Sequence, residues 1–249
     1  MEEKEKILKM LDRTEKISVA MASYNGEKYI KKQIETILEN LNYSDELVIS
    51  DDGSSDMTIE IIKSFEDNRI KLLNGPKKGL KKNFENAIKN SSGDIIFLAD
   101  QDDIWMKNKV NKVVKCFNSN DYILIQHDAI VVDDNNSVMF ESFAEHRKVK
   151  TGIVKNLIKN SYHGCCIAFR KELKKEILPI PNNIYLHDEW IGLVAELNGK
   201  TYFLNEKLME YRRHSQNTSS FKHLPIKEML VNRINYTKEL LKYKRDKEK

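Results

Sequence analysis

An apolar run opens the regular pattern of the chain at residues 17–22, and it stops at Ser23-Tyr24-Asn25-Gly26, a turn signal. Apolar residues then recur at Tyr29, Ile30, Ile34, Ile37, Leu38 and Leu41, spaced by three and four, which predicts a helix. Residues 46–50 predict a second strand. It runs directly into Asp51-Asp52-Gly53-Ser54-Ser55-Asp56, which is turn and helix-cap chemistry throughout. A helix over 57–65, a weaker strand over 69–73, a loop over 74–79 and a helix over 81–89 follow. Residues 94–99 predict a fourth strand, almost wholly apolar, as a strand buried on both faces should be. It ends abruptly at Asp100-Gln101-Asp102-Asp103.

Such alternation predicts a mostly parallel α/β sheet with helices on both faces. Ligands bind at the carboxyl ends of the strands in these sheets. Three of the four strands end in polar clusters, so the clusters should converge on one edge.

The second half is less regular. Strand segments are expected at 122–127 and 129–132 around a kink, and another strand at 163–169. A short helix over 171–177 is ended by Pro179 and Pro181. A helix over 188–197 and strands at 201–204 and 208–211 complete the pattern.

With 249 residues, 40% hydrophobic and 32% charged, the chain can bury a core without disulfide staples. This composition excludes a disordered protein, a collagen-like fibre and a small cysteine scaffold. The net charge of +4 changes meaning once divided. Residues 222–249 hold nine Lys/Arg against four Asp/Glu, net +5, so residues 1–221 carry −1. A nucleic-acid partner, which needs a basic face across the fold, is not expected. No run of 18 uncharged apolar residues predicts a membrane span, and the charged start MEEKEKILKMLDR does not read as a secretory leader. The cysteines are Cys116, Cys165 and Cys166, with no C-x-x-C, which argues against zinc and fits a reducing, cytoplasmic compartment.

Three aspartates within four positions at a strand end repel one another, and burying them without partners is costly. A divalent cation with oxygen ligands, Mg²⁺ or Mn²⁺, carrying a phosphate-bearing ligand, would relieve that cost. A solvated acidic turn is the plainer alternative. Neither G-x-G-x-x-G nor G-x-x-x-x-G-K-[ST] is present, so a dinucleotide or ATP held on a glycine loop is not expected. Carboxylates plus a metal point instead to a nucleotide-diphosphate sugar.

Five signatures in order carry a family resemblance: Ala22 to Ile30, Asp51 to Asp56, Asp100 to Trp105, His187-Asp188-Glu189-Trp190, and Tyr211 to Asn217. From about Lys16 to Ser219 the chain resembles family 2 glycosyltransferases of GT-A fold, especially bacterial rhamnosyl- and hexosyltransferases of surface polysaccharide assembly. The resemblance implies one domain over 1–221, with a Rossmann-like nucleotide-sugar half over about 14–105 and an acceptor half over about 106–221. A basic amphipathic helical segment would follow over 222–249. It implies that Tyr24, Glu27, Asp51, Asp52, Asn83, Asp100 and Gln101 hold the donor, that Asp102 and His214 hold the metal, and that Asp188 is the general base. Asp103 rivals Asp102, and Glu189 rivals Asp188. The implied reaction is inverting transfer of one sugar from dTDP-rhamnose or a UDP-hexose to a glycan or lipid-linked hydroxyl. The basic tail would either pack as a helix on its own domain or rest on the anionic inner face of the cell membrane. A nucleotidyltransferase and a non-catalytic glycan-binding protein are the competing readings. Trp105 and Trp190 are either core or a sugar platform, His127-Asp128 a capping turn or part of the acceptor side, and Gly164 a gap for the acceptor.

Overall fold

The computed structural model describes residues 13–215, 217 and 225–248. The charged start over 1–12, Gln216 of the fifth signature, Ser219 where the resemblance ends, and the expected boundary at 221–222 lie outside the described residues.

Among the described residues nine strands form one sheet. They are β1 (Ile17–Ser23), β2 (Glu46–Asp51), β3 (Ile70–Asn74), β4 (Ile95–Ala99), β5 (Ile104–Trp105), β6 (Tyr122–Val132), β7 (Val138–Phe140), β8 (Ile167–Arg170) and β9 (Lys200–Arg212). The order is β3-β2-β1-β4-β8-β6-β9-β5, with β7 on β6. β1 to β4 pair in parallel; β8 enters antiparallel between β4 and β6; β6 and β9 run with the first four. The sheet is therefore mixed and mostly parallel. The helices are α1 (Ile30–Leu38), α2 (Thr58–Lys63), α3 (Leu80–Asn90), α4 (Lys109–Asn118), α5 (Phe143–Arg147), α6 (Ile153–Ile158), α7 (Lys171–Ile177), α8 (His187–Asn198) and α9 (Ile226–Lys247).

The period of two along β1 and β4 sorts their side chains into two cores. Ile17, Val19, Met21, Ile95 and Phe97 pack with α1 and α4 on one face. Ala20, Ala22, Ile96 and Leu98 pack with Phe84 of α3 and with α7 and α8 on the other. Burial on both faces explains why these strands read as unbroken apolar runs.

The second half departs from expectation in detail. β6 is one strand, and its pairing with β9 slips at His127/Asp128 and Asp128/Ile130, which is the expected kink. β9 is also one strand, not two. The strand expected from 163 begins only at Ile167. Gly164–Cys166 instead form a 3-10 turn, and the Cys165 carbonyl accepts from the buried Lys109 ammonium at 3.1 Å. α4 is absent from the expected elements although Val110, Val113, Val114 and Phe117 carry helical spacing. α5, α6, β5 and β7 are likewise additions, too short to show a period.

The basic C-terminal helix α9 packs on the body. Tyr236 is fully buried and Leu240 nearly so, both in the second core. The Tyr236 hydroxyl donates to the Leu186 carbonyl and accepts from the Leu186 N–H, each at 2.9 Å. Further along, Tyr243 bonds Asn198 and meets Trp190 edge-on at 6.4 Å. No helix among the described residues is long and apolar enough to cross a membrane.

Removing a buried aromatic ring costs about 3–5 kcal/mol. Tyr236→Ala is therefore expected to lower stability by that amount, read as an earlier urea midpoint at unchanged slope. An unchanged midpoint would mean that α9 does not rest on the body.

Candidate active site

Ser23 pairs with Asp51, and Met21 with Ala99, so β1, β2 and β4 end side by side. With β2 and β4 on opposite flanks of β1, their following loops diverge and open a crevice. A cleft of about 1690 Å³ lies there. That exceeds the roughly 300–1,000 Å³ typical of a single small-molecule site, so it has room for two substrates.

Gln101 clasps the first and fourth loops together. Its Oε1 accepts from the Tyr24 N–H at 2.9 Å and its Nε2 donates to the Tyr24 carbonyl at 3.0 Å. Gly26 permits this, because a Cβ there would lie 2.3 Å from Gln101 Oε1.

Tyr24, Asp52, Asn83 and Gln101 line one arm of the cleft. Asp52 accepts from the N–H groups of Lys77 at 2.6 Å and Gly79 at 2.8 Å, fixing the loop before α3. Asn83 donates to the Ser23 carbonyl at 3.0 Å, and its own Oδ1 is buried with no partner among the described residues. Glu27 and Asp51 lie outside the lining. Asp51 accepts from the Gly53 and Ser54 N–H groups and from the Ser23 and Ser54 hydroxyls. Glu27 accepts from the Met57 N–H at 3.0 Å, before α2. Both carboxylates are engaged in building the loops.

The floor is acidic. Asp100 and Asp102 line the cleft, whereas Asp103 turns inward and accepts from the Arg212 N–H at 3.1 Å. Burial, with the Asp102 and Asp188 charges nearby, pushes Asp100 up to about 7. Burial also drives Asp103 well above the ordinary range. Asp102 Oδ2 meets His214 Nε2 at 2.8 Å and the Asn217 amide at 3.1 Å. His214 in turn stacks on Tyr29 at 4.6 Å. Arg212 donates to the Asp102 carbonyl at 3.0 Å. The end of β9 therefore holds the acidic loop from behind. Asp102 and His214 both line the cleft, and the Asp102 carboxylate is the oxygen donor that a Mg²⁺- or Mn²⁺-class cation accepts. Asp100, Asp103 and Cys165 also converge, with ligand atoms within 4.8 Å, and burial pushes the Cys165 thiol well up.

Asp188 begins α8 across the cleft, accepting from the N–H groups of Gly164 at 3.2 Å and Glu189 at 2.6 Å. A helix N-terminus favours a carboxylate by only about 0.3–1 kcal/mol. Burial outweighs this and pushes Asp188 up to about 6. Glu189 also lines the cleft, and there Arg233 of α9 clamps it, with Nη2 at 3.4 Å and Nη1 closer. Burial pushes Glu189 up to about 7 against that guanidinium. Gly164 lies against the Asp188 side, where a Cβ would stand 3.0 Å from His187 Nε2 and 3.7 Å from Asp188 Cβ.

Several lining residues were not singled out from the sequence. Lys77, Arg147 and Arg213 bring positive charge to the cleft. His163, stacked on Phe143 at 4.3 Å, also lines it, and burial holds its imidazole down at about 3. Beneath the floor lies Lys109, fully buried, its ammonium 3.9 Å from the centre of the Trp105 ring. Trp105 and Trp190 are core residues outside the lining. His127-Asp128 is not a turn but lies inside β6 where its pairing slips, and there Asp128 accepts from the Ser142 hydroxyl and the Ala144 N–H at the start of α5.

The family model described as glycosyl transferase family 2 matches residues 18–178. A dTDP-rhamnosyl transferase, RfbG of Shigella flexneri, is 30% identical over 89% of this chain and 82% of its own length. A UDP-Glc:alpha-D-GlcNAc-diphosphoundecaprenol beta-1,3-glucosyltransferase, WfgD of Escherichia coli, is 29% identical over 85% of this chain and 82% of its own. An uncharacterized glycosyltransferase of Nostoc is 25% identical, and the chain spans 66% of its length. Among solved structures, S. aureus TarS 1-349 in complex with UDP-GlcNAc superposes with a TM-score of 0.68 at 18% identity, covering 86% of this chain and 63% of that one. A mannosyltransferase of Pyrobaculum calidifontis in complex with GDP-Man and Mn²⁺ gives 0.62 at 16%, covering 84% and 63%. These likenesses show the GT-A fold.

The clasp predicts a coupling. Gly26→Ala forces Gln101 away and breaks two hydrogen bonds, each worth about 0.5–1.5 kcal/mol. Its cost should largely vanish in a Gln101→Ala background, a coupling that a double-mutant cycle measures by denaturation. Additive costs would refute the clasp.

Proposed function

The chain belongs to glycosyl transferase family 2, and from that premise we propose that it moves one sugar from a nucleotide-diphosphate donor to an acceptor hydroxyl with inversion. Family membership removes the nucleotidyltransferase and the non-catalytic binding protein from contention. One observation carries the reading: a single cleft holds Asp52 and Asn83 at one end, Asp102 and His214 on its floor, and Asp188 across from them.

In this reading Tyr24, Asp52, Asn83, Asp100 and Gln101 face the nucleoside and the sugar of the donor. Glu27 and Asp51 act through the loops that they brace. Asp102 and His214 would hold a Mg²⁺ or Mn²⁺ ion. The fit rests on the Asp102 carboxylate in the cleft and on Asp100 and Asp188, whose carboxyls burial raises to about 7 and about 6, so that a cation would relieve the crowded charge. Such an ion supplies charge neutralisation for the departing diphosphate. Asp188 accepts the acceptor hydroxyl proton as the oxygen attacks the anomeric carbon. The bond from that carbon to the diphosphate breaks, and the diphosphate leaves with its electron pair. No covalent intermediate is needed. The grip of Arg233 on the Glu189 carboxylate favours Asp188 over Glu189 as the base.

The names of the relatives favour dTDP-rhamnose or a UDP-hexose as donor, and a glycan or lipid-linked acceptor of surface polysaccharide assembly. Lipid-linked acceptors would be met in the cytoplasm at the inner face of the cell membrane.

Loss of a general base costs about 10²–10⁴-fold in rate. Asp188→Asn is expected to lower kcat by that much at nearly unchanged nucleotide affinity, whereas Glu189→Gln should not reproduce the loss. A base must be deprotonated to act, so kcat should fall as pH drops through about 6 in the native enzyme. Transfer assays over pH check both, and equal activity of Asp188→Asn and native enzyme would reject the assignment.

Chelation with EDTA should abolish transfer and added Mn²⁺ should restore it. Asp102→Ala should lose transfer with its fold intact by circular dichroism. Full turnover in EDTA would reject the metal.

A further inference from the structure

The tail helix α9 has two faces. Tyr236, Leu240 and Tyr243 turn to the body, while Ile226, Leu230, Ile234 and Leu241 are exposed by 72, 59, 52 and 63%. Spacings of four, four and seven put these four on one outward stripe. The charges are segregated around it. Lys227, Lys238 and Arg245 follow each other by eleven and seven, so they share a face bordering the stripe, with Lys242 alongside. Glu228, Glu239 and Asp246 repeat the same spacing one residue later, about 100° around the helix and away from the stripe.

Helix α6 lies against α9 and repeats the pattern. Val154 and Ile158, four apart, are exposed by 67 and 74%, with Lys155 and Lys159 beside them, also exposed. Among the described residues Lys155, Lys227, Lys238 and Lys242 form no salt bridge. Ile158, Ile226 and Leu230 also line the cleft. The apolar, basic-rimmed lip is thus continuous with the arm of the cleft that leads to Asp188.

We propose that α6 and α9 together form a docking platform for an anionic lipid bilayer, which sets the cleft mouth on the membrane surface. Exposed apolar residues enter the headgroup boundary, and the lysines meet anionic headgroups. The occupant is a lipid surface because one outward face joins an apolar stripe to Lys227, Lys238 and Lys242, which form no salt bridge among the described residues, while Glu228 and Glu239 lie away from it. This rests on the lipid-linked acceptor reading above and adds the surface that would meet the lipid. It also widens the expected contact, since α6 lies far outside the basic tail in sequence.

Flotation of the full chain with phosphatidylglycerol–phosphatidylcholine vesicles tests the proposal, with pure phosphatidylcholine as the control. Ile234→Ser/Leu241→Ser and Lys238→Gln/Lys242→Gln alter exposed positions outside the cleft lining. The native chain should float with the anionic vesicles only, and less so at high salt. Each lysine near an anionic surface changes partition by about fivefold, so the Lys238/Lys242 pair should lower it about 30-fold. The serine pair should also lose flotation. Donor-dependent transfer to a water-soluble acceptor should be unchanged in both. Native protein that stays with neither vesicle type, or variants that float like native, overturns the platform while leaving the transferase reading intact. Self-association by sedimentation that both variants abolish, without flotation, overturns it in favour of a second copy. Loss of soluble transfer in all forms, native included, strikes instead at the proposed function.

Discussion

Four carboxylates, Asp100, Asp102, Asp103 and Asp188, meet where buried strands and a helix end, and the chain around them is arranged to hold that charge. Bringing such groups together out of water costs several kcal/mol per ion unless each is answered. Asp102 is answered by His214 and Asn217, Asp103 by the Arg212 N–H, and Asp188 by two backbone N–H groups. Burial, with the charges of Asp102 and Asp188 nearby, raises Asp100 to about 7, and burial carries Asp103 well above the ordinary range in spite of its partner. The fold pays for this in an unusual place, with the Lys109 ammonium sealed under the floor, where burial lowers it to about 8 and the nearby acids help retain its proton. By donating to the Cys165 carbonyl, Lys109 also fixes the turn whose Gly164 N–H reaches Asp188. One buried cation thus connects the Asp100 side and the Asp188 side of the cleft.

The first half of the chain was legible in the sequence because its strands are buried on both faces and stop at polar residues. A run such as Ile95 to Ala99 followed by Asp100 announces both the strand and the edge at which ligands bind. Asp51 and Asp52 show the limit. Successive side chains of a strand point to opposite sides, so adjacent aspartates take different tasks. Only the register and the loop beyond show that Asp52 faces the cleft and Asp51 faces Ser23 and Ser54. Asp102 and Asp103, in the turn after β4, are told apart only by their partners, His214 and Asn217 for Asp102 and the Arg212 N–H for Asp103. Lys109, and the grip of Arg233 on Glu189, were not legible, because each is a single residue meeting a partner dozens of positions away with no period to reveal it. α5 and α6 escaped for another reason: five or six residues do not complete two helical turns.

The dipeptide Asp188-Glu189 joins the chemistry to the tail. On a helix consecutive side chains diverge by about 100°, so Asp188 meets the Gly164 N–H while Glu189 meets Arg233 of α9, both at the cleft wall. Arg233 also donates to the Leu157 carbonyl at 2.9 Å, tying α6, α8 and α9 at one point. Any shift of α9 on the body therefore acts on the first turn of α8, where Asp188 sits. Leu186, held through both its backbone groups by the Tyr236 hydroxyl, gives that turn a second anchor one residue before it starts. The tail is thus coupled to the base by packing and by charge, which places the outward face of α9 and the position of Asp188 under one mechanical constraint.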